Sequence, residues 1–321
     1  MKRPIFTTMR LKKVKIGDVV TENNVFLAPL AGFSDFAMRK ICEDMGAGLT
    51  FTEMVSCKGL LYDNANTKDI LFTVGNGIKA AQIFGNDPDV MLEAATGEEL
   101  GKFDVIDVNF GCPMPKIYNN GEGSALLKDP ALAEKIIRTL KKCGKPITAK
   151  MRTGLTLGDG LGLPFAKALE QGGADMITVH GRPKDRIYAG EPDYDGIEMI
   201  KNAVSVPVIA NGGVFDADSA DLLIERTGAD GVMIARGALE NPFIFADITG
   251  KKRIAESKKE LIFKHVDLLK TRYDDRTVAI TFRKQLCLYL KGEKNASALK
   301  QKILTLKDTD SIKREIDAAL P

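Results

Sequence analysis

Eight short apolar runs alternate with helix-like segments along the first three quarters of the chain. The runs cover residues 25–30, 49–54, 78–83, 105–109, 147–151, 176–180, 207–211 and 231–234. Regular alternation of strand-like and helix-like segments predicts a parallel sheet, and eight such units predict a closed (β/α)8 TIM barrel. A doubly wound open sheet is the alternative. We disfavour it because no GxGxxG motif follows the first run.

Turn and cap residues mark the helices between these runs. The dipeptides Asp87-Pro88 and Asp129-Pro130 each combine a capping carboxylate with proline at the first helical position. Ser34 is predicted to cap a helix that ends near Met45, and Asp216 is predicted to cap the helix before the eighth run.

The pattern changes at both ends of this repeat. Residues 11–21 carry alternating apolar positions around the turn dipeptide Gly17-Asp18, which predicts a hairpin that plugs the bottom of the barrel. After Pro242, apolar residues recur with a helical period and no strand candidate follows. We therefore predict a barrel domain over residues 1–242 and a small helical bundle over residues 243–321.

Charge is distributed unevenly between these two parts. Residues 251–321 contain 18 Lys and Arg against 10 Asp and Glu, a net charge of +8, whereas the rest of the chain has 28 against 33. This asymmetry favours a polyanionic partner for the C-terminal part, although a solvated lysine-rich helix face explains the same residues. Basic residues at 283–284 and 291–294 lie close in sequence to Tyr289, a combination that suits nucleic acid but is also compatible with core packing.

Cysteine, histidine and hydropathy patterns exclude several classes of protein. The five cysteines form no CxxC pair and there are two histidines, so neither a disulfide framework nor a metal centre is predicted. No apolar run approaches the roughly 20 residues needed to span a membrane, and the N-terminus does not read as a signal peptide. We expect a monomeric protein of the cytoplasm with no membrane or metal partner.

A rigid loop after the fourth run carries the strongest candidate chemistry. Its sequence, Asp107-Val108-Asn109-Phe110-Gly111-Cys112-Pro113-Met114-Pro115-Lys116, leaves a predicted strand and then contains glycine and two prolines. Ligands of parallel α/β folds bind at the carboxyl ends of strands. A cysteine there can be a nucleophile, a proton donor or a metal ligand, and a buried structural thiol is the alternative.

Polar residues at other strand ends would converge on the same face of the barrel. They are Gln82, Asn109, Lys150, Arg152, His180, Arg182, Asn211, Gly212 and Arg236. The turns Asn211-Gly212-Gly213 and Ala235-Arg236-Gly237 follow strands seven and eight, where barrels usually hold phosphate. Lys150 would place a positive charge near a cofactor ring that becomes anionic on reduction, and Gln82 and His180 offer donors. Flavin mononucleotide (FMN) fits this pattern.

Together these residues resemble the tRNA-dihydrouridine synthases, and most closely their bacterial B-type branch. The resemblance runs from about residue 15 to about residue 295. Its pieces are Ala28-Pro29-Leu30-Ala31-Gly32, Ala47-Gly48-Leu49 with Glu53-Met54, Gln82-Ile83-Phe84-Gly85, the loop Asp107–Pro113 with Lys116, Gly123-Ser124-Ala125-Leu126-Leu127, Lys150-Met151-Arg152-Thr153-Gly154, His180-Gly181-Arg182, Asn211-Gly212-Gly213 and Ala235-Arg236-Gly237.

The resemblance implies an FMN enzyme that takes electrons from NADPH or NADH and reduces the C5–C6 double bond of uridine in the tRNA D-loop. Hydride from reduced FMN would reach C6, and Cys112 would protonate C5. The implied cofactor-binding residues are Pro29, Leu30 and Ala31 along the flavin, Gln82, Lys150 and His180 at its ring, and Asn211, Gly212, Gly213, Ala235 and Arg236 at its phosphate. The implied substrate-binding residues are Asn109, Lys116, Arg152 and Arg182, and the basic C-terminal bundle would grip the tRNA.

Three positions depart from the family pattern. The sequence Pro183-Lys184-Asp185-Arg186 stands where Thr-Arg is usual, Gly213 stands where aspartate is more frequent, and Ala235 stands where glycine is more frequent. Three other functions remain open: an FMN barrel acting on a small pyrimidine such as dihydroorotate, an RNA-binding barrel without chemistry, and a phosphate-binding isomerase or synthase. The last would leave the Cys112 loop unexplained.

Overall fold

The computed structural model of the protein describes residues 10–62, 64–187 and 189–321. Within those residues, eight parallel strands close into a barrel, as the sequence predicts, because the first strand pairs with both the second and the last. The strands of the chain are β1 Lys15–Ile16, β2 Val19–Val20, β3 Val25–Leu27, β4 Leu49–Phe51, β5 Val55–Ser56, β6 Lys79–Phe84, β7 Val105–Phe110, β8 Ile147–Arg152, β9 Met176–His180, β10 Val208–Asn211 and β11 Gly231–Ile234.

The barrel order is β3, β4, β6, β7, β8, β9, β10 and β11. The second predicted run, 49–54, is interrupted: β4 ends at Phe51, and β5 resumes four residues later beside the end of β6. The first nine residues of the predicted 1–242 domain lie outside the described residues.

Helices follow the strands and then continue alone to the end of the chain. They are α1 Phe36–Asp44, α2 Cys57–Leu61, α3 Ala65–Ile70, α4 Pro88–Thr96, α5 Glu98–Gly101, α6 Pro115–Tyr118, α7 Pro130–Leu140, α8 Gly162–Gly172, α9 Tyr194–Ala203, α10 Ala217–Thr227, α11 Arg236–Glu240, α12 Phe243–Thr249, α13 Lys258–Lys270, α14 Asp275–Thr281, α15 Arg283–Tyr289, α16 Ala296–Ile303 and α17 Thr309–Ala319. Short 3₁₀ helices cover Gly123–Lys128, Lys141–Cys143 and Lys184–Arg186.

The predicted Asp caps are confirmed and the predicted Ser34 cap is wrong. Asp87, Asp129 and Asp216 each accept a backbone N–H in the first turn of α4, α7 and α10. Helix α1 is capped instead by Asp35, whose carboxylate accepts the N–H of Met38 at 2.8 Å. The Ser34 hydroxyl accepts the N–H of Leu30 and so fixes the turn after β3.

The barrel interior changes from apolar to polar along its axis. At the amino-terminal end it holds one apolar cluster, built from Val14, Ile16, Phe26, Ala28, Leu49, Phe51, Ala80, Val105, Met176, Ile209 and Met233. The first two of these residues come from the antiparallel β1–β2 hairpin and the residue before it, so the predicted plug is confirmed. Toward the carboxyl-terminal end the inward positions become polar, because side chains alternate along each strand.

The segment after Pro242 is helical, as predicted, and it shares the hydrophobic core of the barrel's outer layer. Apolar residues of α1 and of α13 to α17 belong to one continuous buried cluster. The Tyr289 hydroxyl lies 2.9 Å from His265 Nδ1 and 3.7 Å from Met38 Sδ, and Gln285 donates to the Leu239 carbonyl at 2.8 Å. The division of the chain at residue 242 stays a prediction.

Candidate active site

The strand ends bring most of the predicted site residues to one face of the barrel. Strand register places Asn109 beside Lys150, Arg152 beside His180, and His180 beside Asn211. These residues alternate with buried apolar residues that face the outer helices, so their side chains point into the barrel. The convergence predicted from the sequence is therefore a property of the fold.

A chain of hydrogen bonds crosses the interior beneath this face. Asn109 Nδ2 donates to Gln82 Oε1 at 2.8 Å, and Gln82 Nε2 donates to Asp107 Oδ2 at 2.7 Å. The other carboxylate oxygen, Asp107 Oδ1, accepts the Thr148 hydroxyl at 2.6 Å. All four side chains are buried. Burial raises the pKa of Asp107 to about 6, against the opposing effect of these hydrogen bonds and of Lys150.

Asp107 and Thr148 are not among the candidate residues that we derived from the sequence. Both occupy inward positions two residues before a predicted site residue, Asn109 and Lys150 respectively. The signal that could have found them is the two-residue spacing within β7 and β8, which continues the polar face down the strand.

The Cys112 loop is held by backbone hydrogen bonds on both sides. Asn109 Oδ1 accepts the N–H of Gly111 at 3.1 Å and the N–H of Cys112 at 2.9 Å. The Ser124 hydroxyl donates to the Cys112 carbonyl at 2.9 Å. Gly123 has φ +60°, and a Cβ there would lie 2.9 Å from the same carbonyl oxygen, so only glycine fits this close approach.

The Cys112 thiol is suited to donate a proton. The residue is 9% exposed. Burial raises the pKa of the Cys112 thiol above its usual range, and the nearby charges of Arg152 and Lys150 oppose this effect only in part. The thiol is therefore protonated at neutral pH.

Arg152 joins two loops of the site. Its Nε donates to the Gly111 carbonyl at 2.7 Å, and its Nη1 donates to the Arg182 carbonyl at 3.0 Å. The side chain is 4% exposed. In this arrangement Arg152 ties the Cys112 loop to the loop after β9, and its predicted contact with a substrate base stays a prediction.

Positive charge is concentrated around His180. Burial first, and then the charges of Lys150, Arg152, Arg182 and Arg236, lower the pKa of His180 well below its usual range, so the imidazole is neutral. Burial, together with Arg152, also lowers the pKa of Lys150 to about 8. Such a field attracts an anion.

The turn after β10 is closely packed against its neighbours, so it has no space for side chains at its two glycines. Gly212 and Gly213 have φ +129° and +74°, values that favour glycine. A Cβ on Gly213 would lie 2.9 Å from Pro192. Asn211 links this turn to β8 and β11: it accepts from Lys150 Nζ at 3.1 Å and donates to the Met233 carbonyl at 2.7 Å.

Two of the predicted residues extend from the loops beyond β9 and β11. Arg182 donates to the Gly190 carbonyl at 2.7 Å and is buried. Arg236 is the first residue of α11, and its guanidinium lies 5.6 Å from the Phe215 ring centroid. Ala235 immediately precedes it, at an inward position next to the interior cluster.

The loop after β3 forms another side of the site and meets a C-terminal helix there. Pro29 and Leu30 are half-buried, and Ala31 is exposed. The N–H of Gly32 donates to the Glu53 carboxylate. Lys284 of α15 reaches this loop: its ammonium lies 5.3 Å from the Phe33 ring centroid and favours the charged form of Glu53.

Lys116 lies apart from the inward cluster. It is exposed on α6, at the outer edge of the Cys112 loop. Its neighbour Tyr118 packs beneath two ammonium groups, Lys184 at 3.9 Å and Lys128 at 5.3 Å from the ring centroid. The departure from the family pattern at residues 183–186 thus brings a lysine onto the rim of the barrel mouth.

Residues 10–62, 64–187 and 189–321 lack two kinds of feature, a membrane-spanning helix and a metal-binding cluster. No helix in those residues is both long and apolar enough to cross a membrane. Within the same residues, no group of three or more His, Cys, Asp and Glu side chains could hold a metal ion.

Comparison with solved structures shows the fold. Histamine dehydrogenase from Rhizobium sp. 4-9 superposes with a TM-score of 0.55 over 86% of this chain at 16% identity. A 2-naphthoyl-CoA reductase superposes with a TM-score of 0.59 over 75% of this chain at 10% identity. The matched parts cover 50% and 52% of those two chains.

Comparison of sequences shows the family. The family model for dihydrouridine synthase (Dus) matches residues 26–320. The tRNA-dihydrouridine synthase B of Pseudomonas syringae pv. tomato is 36% identical over 94% of this chain and 92% of its own. The protein of that name from Vibrio cholerae is 34% identical over 95% and 97%. The resemblance seen in the motifs is confirmed, and the chain belongs to the dihydrouridine synthase family.

Proposed function

We propose that this protein is a flavin-dependent tRNA-dihydrouridine synthase that reduces the C5–C6 double bond of uridine in the tRNA D-loop, with FMN as cofactor and NADPH as electron donor. The observation that carries the proposal is the position of Cys112, whose backbone is held by hydrogen bonds on the same barrel face as the cationic cluster around His180. A proton donor beside an anion-binding site is what this reduction requires.

The residues at the barrel mouth fit FMN. A phosphate would find Arg236, the positive field around His180 and the backbone of Gly212 and Gly213, which carry no side chains. The flavin ring would be held by Lys150, His180 and the second amide N–H of Gln82, the one that is not bonded to Asp107. Pro29, Leu30 and Ala31 would lie along the ring. Bound FMN, reduced by NADPH, supplies the hydride for uridine C6.

Cys112 would complete the reaction. Addition of hydride at C6 leaves negative charge at C5, and Cys112 Sγ donates its proton there. The thiol becomes a thiolate, which takes a proton from solvent before the next turnover. The nearby charges of Lys150 and Arg152 stabilise that thiolate. Asn109 and Arg152 would orient the base, and Arg182 would lie beside it.

The C-terminal helices would grip the tRNA. The target base must leave the folded tRNA to reach the barrel mouth, and phosphates around it need counter-charges. The net charge of +8 in residues 251–321 supports this role. Lys284 places one of these charges directly beside the loop after β3. Lys116 would contribute another from the opposite rim.

The decisive experiment incubates purified protein, NADPH and unmodified tRNA, then digests the tRNA for mass spectrometry. A uridine heavier by about two mass units, at a D-loop position, is the expected result. A yellow protein that oxidises NADPH without modifying tRNA but reduces a free pyrimidine would contradict the proposal. A colourless protein that binds tRNA and takes up no FMN on reconstitution would contradict it as well.

Replacing Arg236 by alanine is expected to weaken FMN binding by about 10–100-fold, since a charge-assisted hydrogen bond to phosphate contributes roughly 1.5–3 kcal/mol. Fluorescence titration of the FMN-free protein measures this. R226A removes the same charge from α10, where Arg226 lies 3.8 Å from Asp195, and should retain wild-type FMN affinity. Equal affinities for R236A and the wild type would refute the phosphate assignment.

Replacing Lys284 by alanine is expected to weaken tRNA binding and leave FMN binding unchanged. If the ammonium neutralises one phosphate, the slope of log affinity against log salt should decrease by about 0.7–0.9. Filter binding at several salt concentrations gives that slope. K13A, at the opposite end of the barrel, is the matched control and should keep the wild-type slope. An unchanged slope for K284A would exclude this contact.

A further inference from the structure

The hydrogen-bonded chain beneath the site has a fixed direction. Asp107 carries the only carboxylate of the four side chains, and an ionised carboxylate accepts hydrogen bonds but donates none. Gln82 must therefore present its NH2 group to Asp107 and its carbonyl oxygen to Asn109. Asn109 must in turn present its NH2 group to Gln82, which leaves its carbonyl oxygen for the N–H groups of Gly111 and Cys112.

We propose that Asp107 is a positioning residue for Cys112, acting through Gln82 and Asn109. This inference rests on the proposed function, in which the Cys112 thiol must lie at a defined place to protonate the substrate. The negative charge of Asp107 decides which end of each amide faces the Cys112 loop. The Cys112 loop is thereby held by the N–H groups of Gly111 and Cys112, which both donate to Asn109 Oδ1. Asn109 can accept them only when its carbonyl oxygen, and not its NH2 group, faces the loop.

The opposite orientation would release the loop. If Asn109 turned its NH2 group toward Gly111 and Cys112, donor would face donor and both backbone N–H groups would lose their partner. An unsatisfied buried N–H costs roughly 1–3 kcal/mol. Ser124 would still hold the Cys112 carbonyl, so the loop would remain attached on one side and become free on the other.

The groups around Asp107 determine the pH range in which its charge orients the amides of Gln82 and Asn109. Among the described residues, Lys150 on β8 is the charged group that acts on Asp107. The Thr148 hydroxyl donates to the second carboxylate oxygen, at the side of Asp107 that faces away from Gln82 and Asn109 in the hydrogen-bonded chain. Above pH 6 the ionised Asp107 can only accept, so the hydrogen bonds run from Asn109 to Gln82 to Asp107. Below it, the protonated acid can donate to Gln82, and both directions become available.

The test compares D107N with T148V in the full-length, FMN-loaded protein. The asparagine side chain can donate as well as accept, so D107N allows the amides of Gln82 and Asn109 to take either orientation. T148V removes a hydrogen bond to the same carboxylate, at similar size, and leaves the direction intact. Thermal melts establish that both variants fold.

The first readout is the rate at which iodoacetamide alkylates Cys112, followed by mass spectrometry of the peptide without any substrate. We expect D107N to react about tenfold faster, the effect of losing roughly one backbone hydrogen bond, and T148V to remain within about twofold of the wild type. Equal rates for D107N and the wild type would overturn the proposal.

The second readout is a double-mutant cycle on uridine reduction. D107N should lower the rate about 10–100-fold in the presence of Cys112, because small displacements of a reacting group are costly. In the C112A background the same substitution should have no further effect. An equal loss in both backgrounds would show that Asp107 acts on something other than Cys112.

The wild-type protein provides a test that does not depend on D107N folding. Between pH 6 and 8 the alkylation rate should rise tenfold per pH unit, following the thiolate. Below pH 6, release of the loop should make the rate fall less steeply than this line. A straight line from pH 5 to 8 would contradict the proposal. Because alkylation needs no tRNA, these results are independent of whether the wild type reduces uridine.

Discussion

Replacing Cys112 by alanine is expected to lower the rate of uridine reduction by about 10²–10⁴-fold, the usual contribution of a general acid. FMN should remain bound and NADPH should still reduce it, because in the proposed function the thiol takes no part in that half of the reaction. Stopped-flow absorbance separates the two halves: flavin bleaching by NADPH reports the first, and recovery of colour on adding tRNA reports the second.

Two variants sharpen this result. C112S places a hydroxyl where the thiol was, and a hydroxyl has a much higher pKa than a thiol. Its rate of uridine reduction should therefore lie between those of the wild type and C112A, or equal that of C112A. C143A removes a half-buried thiol at the end of the 3₁₀ helix Lys141–Cys143, at the opposite end of the barrel, and should behave as wild type. Normal turnover by C112A would remove Cys112 from the mechanism.

Replacing Lys150 by methionine is expected to stabilise the FMN-free protein while lowering uridine reduction by about 10²-fold. The folded state disfavours the charge of Lys150, since burial lowers the pKa of Lys150 to about 8 from its usual 10.5. At neutral pH this corresponds to roughly 3 kcal/mol, or a rise in Tm of about 5 °C for the methionine variant. The proposed function gives a reason for this cost, since it requires a positive charge at the flavin ring.

The pH dependence of that stabilisation has a definite sign. Below pH 8 Lys150 is charged in both the folded and the unfolded chain, so the folded state bears the full penalty. As pH rises from 8 to 10.5 the folded state releases its proton first and the penalty disappears. The Tm difference between K150M and the wild type should therefore shrink over this range. K142M, at an exposed lysine, should show no such trend; a constant difference for K150M would contradict the lowered pKa.

The sequence was sufficient to predict the barrel and the residues of its mouth because both depend on local order. Strand-helix alternation sets the topology, and parallel strands bring their ends together whatever the details of packing. Asn109, Lys150, His180 and Asn211 were found because each is a polar residue at a strand end.

Other features depend on contacts between distant parts of the chain, which local patterns do not contain. In the sequence, Asp107 is a single carboxylate within an apolar run. Its hydrogen bond to Gln82 becomes visible only in the folded structure. Lys284 reads as part of a basic helix, and only the packing of α15 places it beside Phe33. The choice between Ser34 and Asp35 as helix cap was local but close, since both residue types are good caps.

The core shared by α1 and the C-terminal helices has a consequence for synthesis of the protein. Met38 emerges from the ribosome early, but Tyr289, which covers it, lies 251 residues later. For most of translation, this apolar face of the nascent barrel has no native partner. Exposed apolar surface of this kind invites aggregation. We therefore expect that rapid completion of the chain, or a chaperone, favours a barrel that is joined correctly to its C-terminal helices.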